Sequence, residues 1–203
     1  MQTSLCRTDN SRTPGGGIFA FMCGAALTGV LIGTMCFMLS ADTQAGRLIF
    51  RSVGLKHILQ SDLGSVMAGS LLGSTVFLLA LAAAGTCAVG QPFEVLLLVL
   101  RGMGIGHKAA QLYSMAGKSD LLYAAGYLIP GAVISTMALA AAAREAFGLS
   151  NICLRLMLSG KCEQSPPEAL KLFGARLLVT EALLTLAAGA DTVCCHIFIE
   201  KLV

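Results

Sequence analysis

The chain has 203 residues, of which 56% are hydrophobic and only 12% charged, with a net charge of +3 and a mean hydropathy of +0.78. A soluble domain carries roughly 25% charged residues, so a water-soluble globule is excluded, and intrinsic disorder, which needs low hydrophobicity and high charge, is excluded with it. No basic cluster offers a footprint for nucleic acid, and the remaining class is an integral membrane protein.

Residues 1–17 are polar, contain Arg7 and Arg12 and end in Pro14-Gly15-Gly16-Gly17, which predicts a disordered arm. Residues 18–203 then form a single helical membrane domain. Residues 18–39 hold no charge; at 1.5 Å per residue they extend about 33 Å, enough to cross the hydrocarbon layer. A signal-peptide core is only about 7–15 residues long, so a retained span is expected, with cleavage after Thr43-Gln44-Ala45 as the alternative. Residues 41–62 set Arg47, Arg51, Lys56 and His57 among Leu48, Ile49, Phe50, Val53, Leu55, Ile58 and Leu59. That near-helical spacing predicts an interfacial amphipathic helix between spans 1 and 2.

From Leu63 to Phe93 nothing is charged, which is more than one span needs. Gly90-Gln91-Pro92 supplies the break, because proline cannot continue a helix and biases its predecessor away from helical geometry. Spans are therefore expected at 65–89 and 93–113. Gly29-x-x-x-Gly33 and Gly69-x-x-x-Gly73 are small-xxx-small faces of the kind that pack membrane helices. A fourth span is expected at 121–143, kinked at Pro130-Gly131, with helix continuing to about Leu158. The fifth begins near Pro166, with Ser165 as N-cap and Glu168 as its capping-box partner, and crosses at 177–199. The expected fold is an all-α polytopic bundle of about five spans. On that layout the side holding the N-terminal arm and the second and fourth loops carries seven Lys and Arg against five opposite, which favours a cytoplasmic N-terminus and an external C-terminus.

The third span carries Glu94, Arg101 and Lys108, spaced by seven. Residues seven apart drift only about 20° around a helix, so the three share one face. Arg101 lies near mid-span, where an unpaired charge facing lipid costs at least about 2.5–3.5 kcal/mol. Glu94 is about 10 Å away along the axis, so Asp191 or Glu181 of the last span is the expected partner. The arrangement fits either a structural ion pair that fixes helix register or a functional polar site. Gly102, Gly104 and Gly106 follow at once. Three alternate glycines mean either a weakened or interrupted helix, as in transporters, or very close helix contact. The stretch is no Walker A loop, because His107 and Ala109 flank Lys108 where glycine and Ser/Thr are required.

No catalytic set is present: there is no G-x-S-x-G and no H-E-x-x-H, and His57, His107 and His196 lie on separate segments. Eight cysteines occur without a C-x-x-C or a zinc spacing; most lie in apolar runs, where Cys is a small hydrophobe. No metal and no cofactor is expected. Asp191 and Glu181 point about 80° apart on their helix and make a poor carboxylate dyad.

Taken together, Gly90-Gln91-Pro92, the apolar run to Leu100, Arg101-Gly102-Met103-Gly104-Ile105-Gly106, the mid-span Tyr127-Leu128-Ile129-Pro130-Gly131, the exit Arg144-Glu145-Ala146 and the acidic Asp191 of the closing helix resemble the stage II sporulation protein M family. The resemblance covers roughly the last 120 residues and lies in the order and spacing of short motifs. At the C-terminus the chain lacks a proline often found in that family. The resemblance implies a multi-pass protein of the bacterial cytoplasmic membrane, septal during sporulation. It implies a non-enzymatic scaffold that recruits the peptidoglycan-degrading stage II sporulation proteins D and P for engulfment. The alternative is a small transporter or channel subunit with a polar site around Arg101. Membrane lipid surrounds the protein on either reading.

Overall fold

The computed structural model describes residues 15–40, 63–115, 121–159 and 166–202. The expected N-terminal arm over residues 1–14, the amphipathic helix over 41–62 and the Ser165 cap lie outside the described residues. Five helices account for nearly everything described: α1 (Gly15–Ser40), α2 (Leu63–Thr86), α3 (Gln91–Met115), α4 (Leu121–Ser159) and α5 (Pro166–Leu202). No strand occurs among the described residues, and the fold is the all-helical bundle the composition calls for.

α1, α2, α4 and α5 are long and apolar enough to cross a membrane. α3, with 25 residues, is one residue shorter than α1 and more polar, because Glu94, Arg101, His107 and Lys108 lower its hydropathy. It nonetheless runs through the same layer. Gly29 abuts Val99, Gly33 abuts Met103, Gly102 abuts Ala26 and Gly106 abuts Val30. Numbers rise together along both helices, so α1 and α3 are parallel and side by side.

The other contacts set the remaining directions. Ser70 and Thr75 of α2 meet Asp191 and Glu181 of α5, so that pair is antiparallel. Gly85 touches Ala146, and the Ser150 hydroxyl donates to the Cys87 carbonyl at 2.9 Å, so α2 and α4 are parallel. Gly131 touches Asp191, and Arg176 donates to Glu145, so α4 and α5 are antiparallel. The chain therefore passes up and down in alternation.

Gly85, the α2–α3 turn, Glu145 and Arg176 share one level. About twenty residues of helix span the 30 Å hydrocarbon layer. Counted from that level, the other boundary falls near Ser65, Leu112, Ala125 and His196.

The α2–α3 turn forms where Gly90-Gln91-Pro92 requires it. Cys87 N donates to Ala84 O at 3.0 Å and Gly90 N to Cys87 O at 3.1 Å. A side chain at Gly90 would strike the Ala84 carbonyl. Pro92 stands in the first turn of α3, where its missing N–H costs nothing, and Glu94 is in the same turn, at the positive end of the helix dipole. α4 is helical throughout its 39 residues, with Pro130 inside it; a proline there frees the carbonyl four residues earlier.

The core is built from Met22, Leu78, Leu81, Leu98, Leu139 and Leu184 around a run of alanines on α4, Ala138, Ala140, Ala142 and Ala143. Lipid is as apolar as leucine, so packing and interhelical hydrogen bonds, rather than a hydrophobic drive between helices, hold such a bundle. The tightest seam is α1 on α3. Four glycines there let backbone meet backbone, and a Cβ at Gly29, Gly33, Gly102 or Gly106 would collide with a main-chain carbonyl of the other helix. Gly104, between them, faces open space. The helix is continuous through 101–106, so close contact, and not an interruption, accounts for Gly102 and Gly106. The expectation for Gly69-x-x-x-Gly73 is corrected: among the described residues no other helix comes near the Cβ position of either glycine, because α2 turns Ser70, Ser74 and Thr75 inward instead.

The two kinds of glycine should separate on substitution. Gly102→Ala is expected to lower stability by about 1–3 kcal/mol through overpacking, while Gly104→Ala should gain up to about 1 kcal/mol of helix propensity. Unfolding midpoints of the two variants in detergent would check this.

Candidate functional site

The buried polar groups gather where α2, α3, α4 and α5 meet. Arg101 points from α3 into the bundle. Its guanidinium donates to the Ser74 hydroxyl of α2 at 3.1 Å and to the Ser135 hydroxyl of α4 at 3.3 Å. It also stands over the Phe77 ring, 5.7 Å from the centroid, in range for a cation–π contact. The Ser135 hydroxyl in turn donates to the Ala132 carbonyl at 3.2 Å within its own helix.

Neither Asp191 nor Glu181 forms an ion pair with Arg101; among the described residues the ion pair is Arg176 with Glu145. The expected partnership is therefore corrected. Two hydroxyls take the guanidinium, and Asp191 acts on Arg101 and on Lys108 electrostatically, from beyond contact distance. The reason lies in α2. Its Ser70 and Ser74, at i and i+4, share one face, Thr75 lies about 100° further round from Ser74, and each takes a different charged group. The Ser70 hydroxyl donates to Asp191 Oδ2 at 2.8 Å, and the Thr75 hydroxyl donates to Glu181 Oε1 at 2.7 Å.

Asp191 also fills a notch in α4. Its carboxylate rests on Gly131, where any Cβ would overlap it. Pro130-Gly131 thus serves as a seat for the carboxylate. Asp191 and Glu181 bond to different residues of α2, in keeping with their divergent directions on α5.

Glu94 and Lys108 bracket Arg101 on α3. Glu94 is fully buried at 0% exposure. Among the described residues neither of its carboxylate oxygens has a hydrogen-bond partner, and the same holds for Arg101 Nε and Glu181 Oε2. Lys108, one helix repeat beyond Arg101 toward the opposite boundary, is exposed. His107 stacks edge-on against Phe37 of α1 with centroids 5.2 Å apart, which adds a contact to the glycine seam. The side chain of His196 lies outside the described residues.

The structure thus gives Arg101, Asp191 and Glu181 separate hydroxyl partners on one helix, α2, seats Asp191 on Gly131 beside Pro130, and places Gly102 and Gly106 at the α1 contact. Gly104 stands apart from these groups, and Lys108 feels them only through the charges of Arg101 and Asp191. Ser70, Ser74, Thr75 and Ser135 were not singled out from sequence. The signal was the small polar face Ser70-x-x-x-Ser74-Thr75 opposite the glycines of α2. Among the described residues no group of three or more His, Cys, Asp or Glu could hold a metal ion. No protein-family model, no curated protein and no solved structure matches the chain.

The seat on α4 is testable by a double-mutant cycle. Gly131→Ala should expel the carboxylate and cost about 1–3 kcal/mol. Once Asp191→Asn has weakened the group it displaces, its further cost should fall short of the sum of the single costs. Additive losses in unfolding free energy would show that the two residues are uncoupled.

Proposed function

We propose that the chain is a non-enzymatic scaffold of the bacterial cytoplasmic membrane, of the kind its motifs resemble, which recruits septal peptidoglycan-degrading partners such as the stage II sporulation proteins D and P. One observation carries this reading: the polar side chains at the centre bind one another across helices of the same chain. Arg101 is held by Ser74 and Ser135, Asp191 by Ser70, and Glu181 by Thr75. A network spent on fixing register suits a protein whose task is to present a surface. The glycine seam of α1 on α3 supports the same reading, since it locks a helix pair without leaving room for a path between them.

A small transporter or channel subunit is the second reading. It is favoured by the buried groups that the network leaves over, both oxygens of Glu94, Glu181 Oε2 and Arg101 Nε. Such groups are the raw material of an intramembrane ion or proton site.

The two readings part at Arg101. On the scaffold reading, Arg101→Leu lowers folded yield or partner recruitment and leaves solute flux unchanged. Co-purification of cell-wall hydrolases with wild-type and variant protein, beside flux into proteoliposomes, measures both. A flux defect in a normally assembled Arg101→Leu protein would favour the transporter.

A further inference from the structure

Glu94 has none of the partners that hold the other intramembrane charges. It is fully buried, and neither carboxylate oxygen has a hydrogen-bond partner among the described residues. Asp191, by contrast, has the Ser70 hydroxyl and feels the charges of Arg101 and Lys108. Glu181 has the Thr75 hydroxyl. What acts on Glu94 is burial, with no neighbouring charge beside it.

Its level in the bundle follows from the helix directions. Arg101 meets Ser74 of α2 and Ser135 of α4, and both helices run antiparallel to α3. Seven residues earlier on α3, Glu94 is therefore level with about Leu81 and Ala142. The α1 seam, where Gly29 meets Val99 and Ala26 meets Gly102, puts Met22 and Cys23 near the same level. Leu81, Ala142 and Met22 are buried, and none has a hydrogen-bonding side chain. The level lies three or four residues inside Gly85 and Glu145, about 5 Å beneath the boundary.

No counter-charge is offered by the helices that flank α3. α1 and α2 carry no charged residue, and the titratable group of α1 near this level is the Cys23 thiol. On α4, Arg144 is exposed and Glu145 is taken by Arg176. On α3 itself, Arg101 is two turns away and directed at its serines. The positive end of the α3 dipole favours the ionised form, but it offsets less than the cost of an unpaired charge in an apolar interior. A group so placed is neutralised instead. A metal ion does not suit the site, since calcium takes about six to eight oxygens and magnesium a full octahedron, and Glu94 brings two. A proton needs one.

We propose that Glu94 is a proton-binding site, a carboxylic acid enclosed in the bundle at neutral pH, one helical turn beneath the α2–α3 turn. The bound proton lets α3 carry this residue inside without a counter-ion. Ionisation requires that end of the bundle to open to water. The site is independent of the scaffold and transporter readings, because a proton held at one closed position implies no flux.

Infrared spectra of the full chain in vesicles test it. The proposal expects a carboxylic-acid C=O band at neutral pH that is lost in Glu94→Gln and kept in Glu181→Gln and Asp191→Asn. Glutamine copies the neutral acid in shape, and Glu94→Leu, matched to apolar surroundings, is the second variant; both should assemble. Unfolding in detergent gives a further readout. A solvated glutamate ionises above about pH 4.3, so unfolding the wild type releases a proton. Its folded-to-unfolded ratio should then fall by up to about tenfold per pH unit above that point, relative to either variant. A spectrum unchanged by Glu94→Gln overturns the proposal, as does a wild-type pH dependence that matches both variants. Failure of both variants to assemble overturns it too, since the fold would then need the ionised form.

Discussion

The backbone contact between α1 and α3 governs the arrangement of the rest. Gly29 and Gly33 on one helix and Gly102 and Gly106 on the other bring two main chains together. A contact of that kind has one rotational setting. Once Gly102 and Gly106 face α1, the neighbouring face of α3, with Glu94 and Arg101, is turned toward α2 and α4. Burial of charge is thus a consequence of steric fit elsewhere on the same helix. The stripe that carries the charges could not choose lipid without breaking the seam.

Turned inward, Arg101 must be accommodated, and hydroxyls do it. An interhelical hydrogen bond in a membrane is worth about 0.6 kcal/mol on average, and an Arg facing lipid at mid-span costs at least about 2.5–3.5 kcal/mol. The serines therefore matter less as glue than as the condition under which the charge can stay inside. α2 supplies three such groups, to three different side chains. α4 contributes Ser135, and at Gly131 it contributes the absence of a side chain. Each interface uses its own device: main-chain proximity for α1 on α3, hydroxyl-to-carboxylate bonds for α2 on α5, a steric notch for α4 on α5.

The fold class was legible because it rests on a bulk property, the scarcity of charge. The position of the α2–α3 turn was legible because Gly90 and Pro92 each exclude helix for a local reason. The close approach at Gly102 and Gly106 was visible as one of two options, but its separation from Gly104 was not, since which glycines face a neighbour depends on the rotation of α3. The partner of Arg101 was misjudged because opposite charge is the obvious signal. Ser74 and Ser135 are short, common in membrane helices, and gain meaning only from their position across the bundle. Gly69 and Gly73 show the converse. The pattern that packs α1 is present on α2, yet the opposite face of α2 is buried, since Ser70 and Thr75 have carboxylates to meet.

The three hydroxyls of α2 carry a further meaning when the chain is considered in time. A chain made from its N-terminus places α2 in the membrane before α3 and α5. Arg101 arrives to find Ser74 in place, and later Glu181 and Asp191 arrive to find Thr75 and Ser70. Each charged residue of the network meets a hydroxyl of α2 on arrival, and Arg101 alone gains a second one later, from Ser135 of α4. α2, which carries no charge of its own, acts as a template laid down in advance, and the order of the helices along the gene is then part of how the bundle assembles.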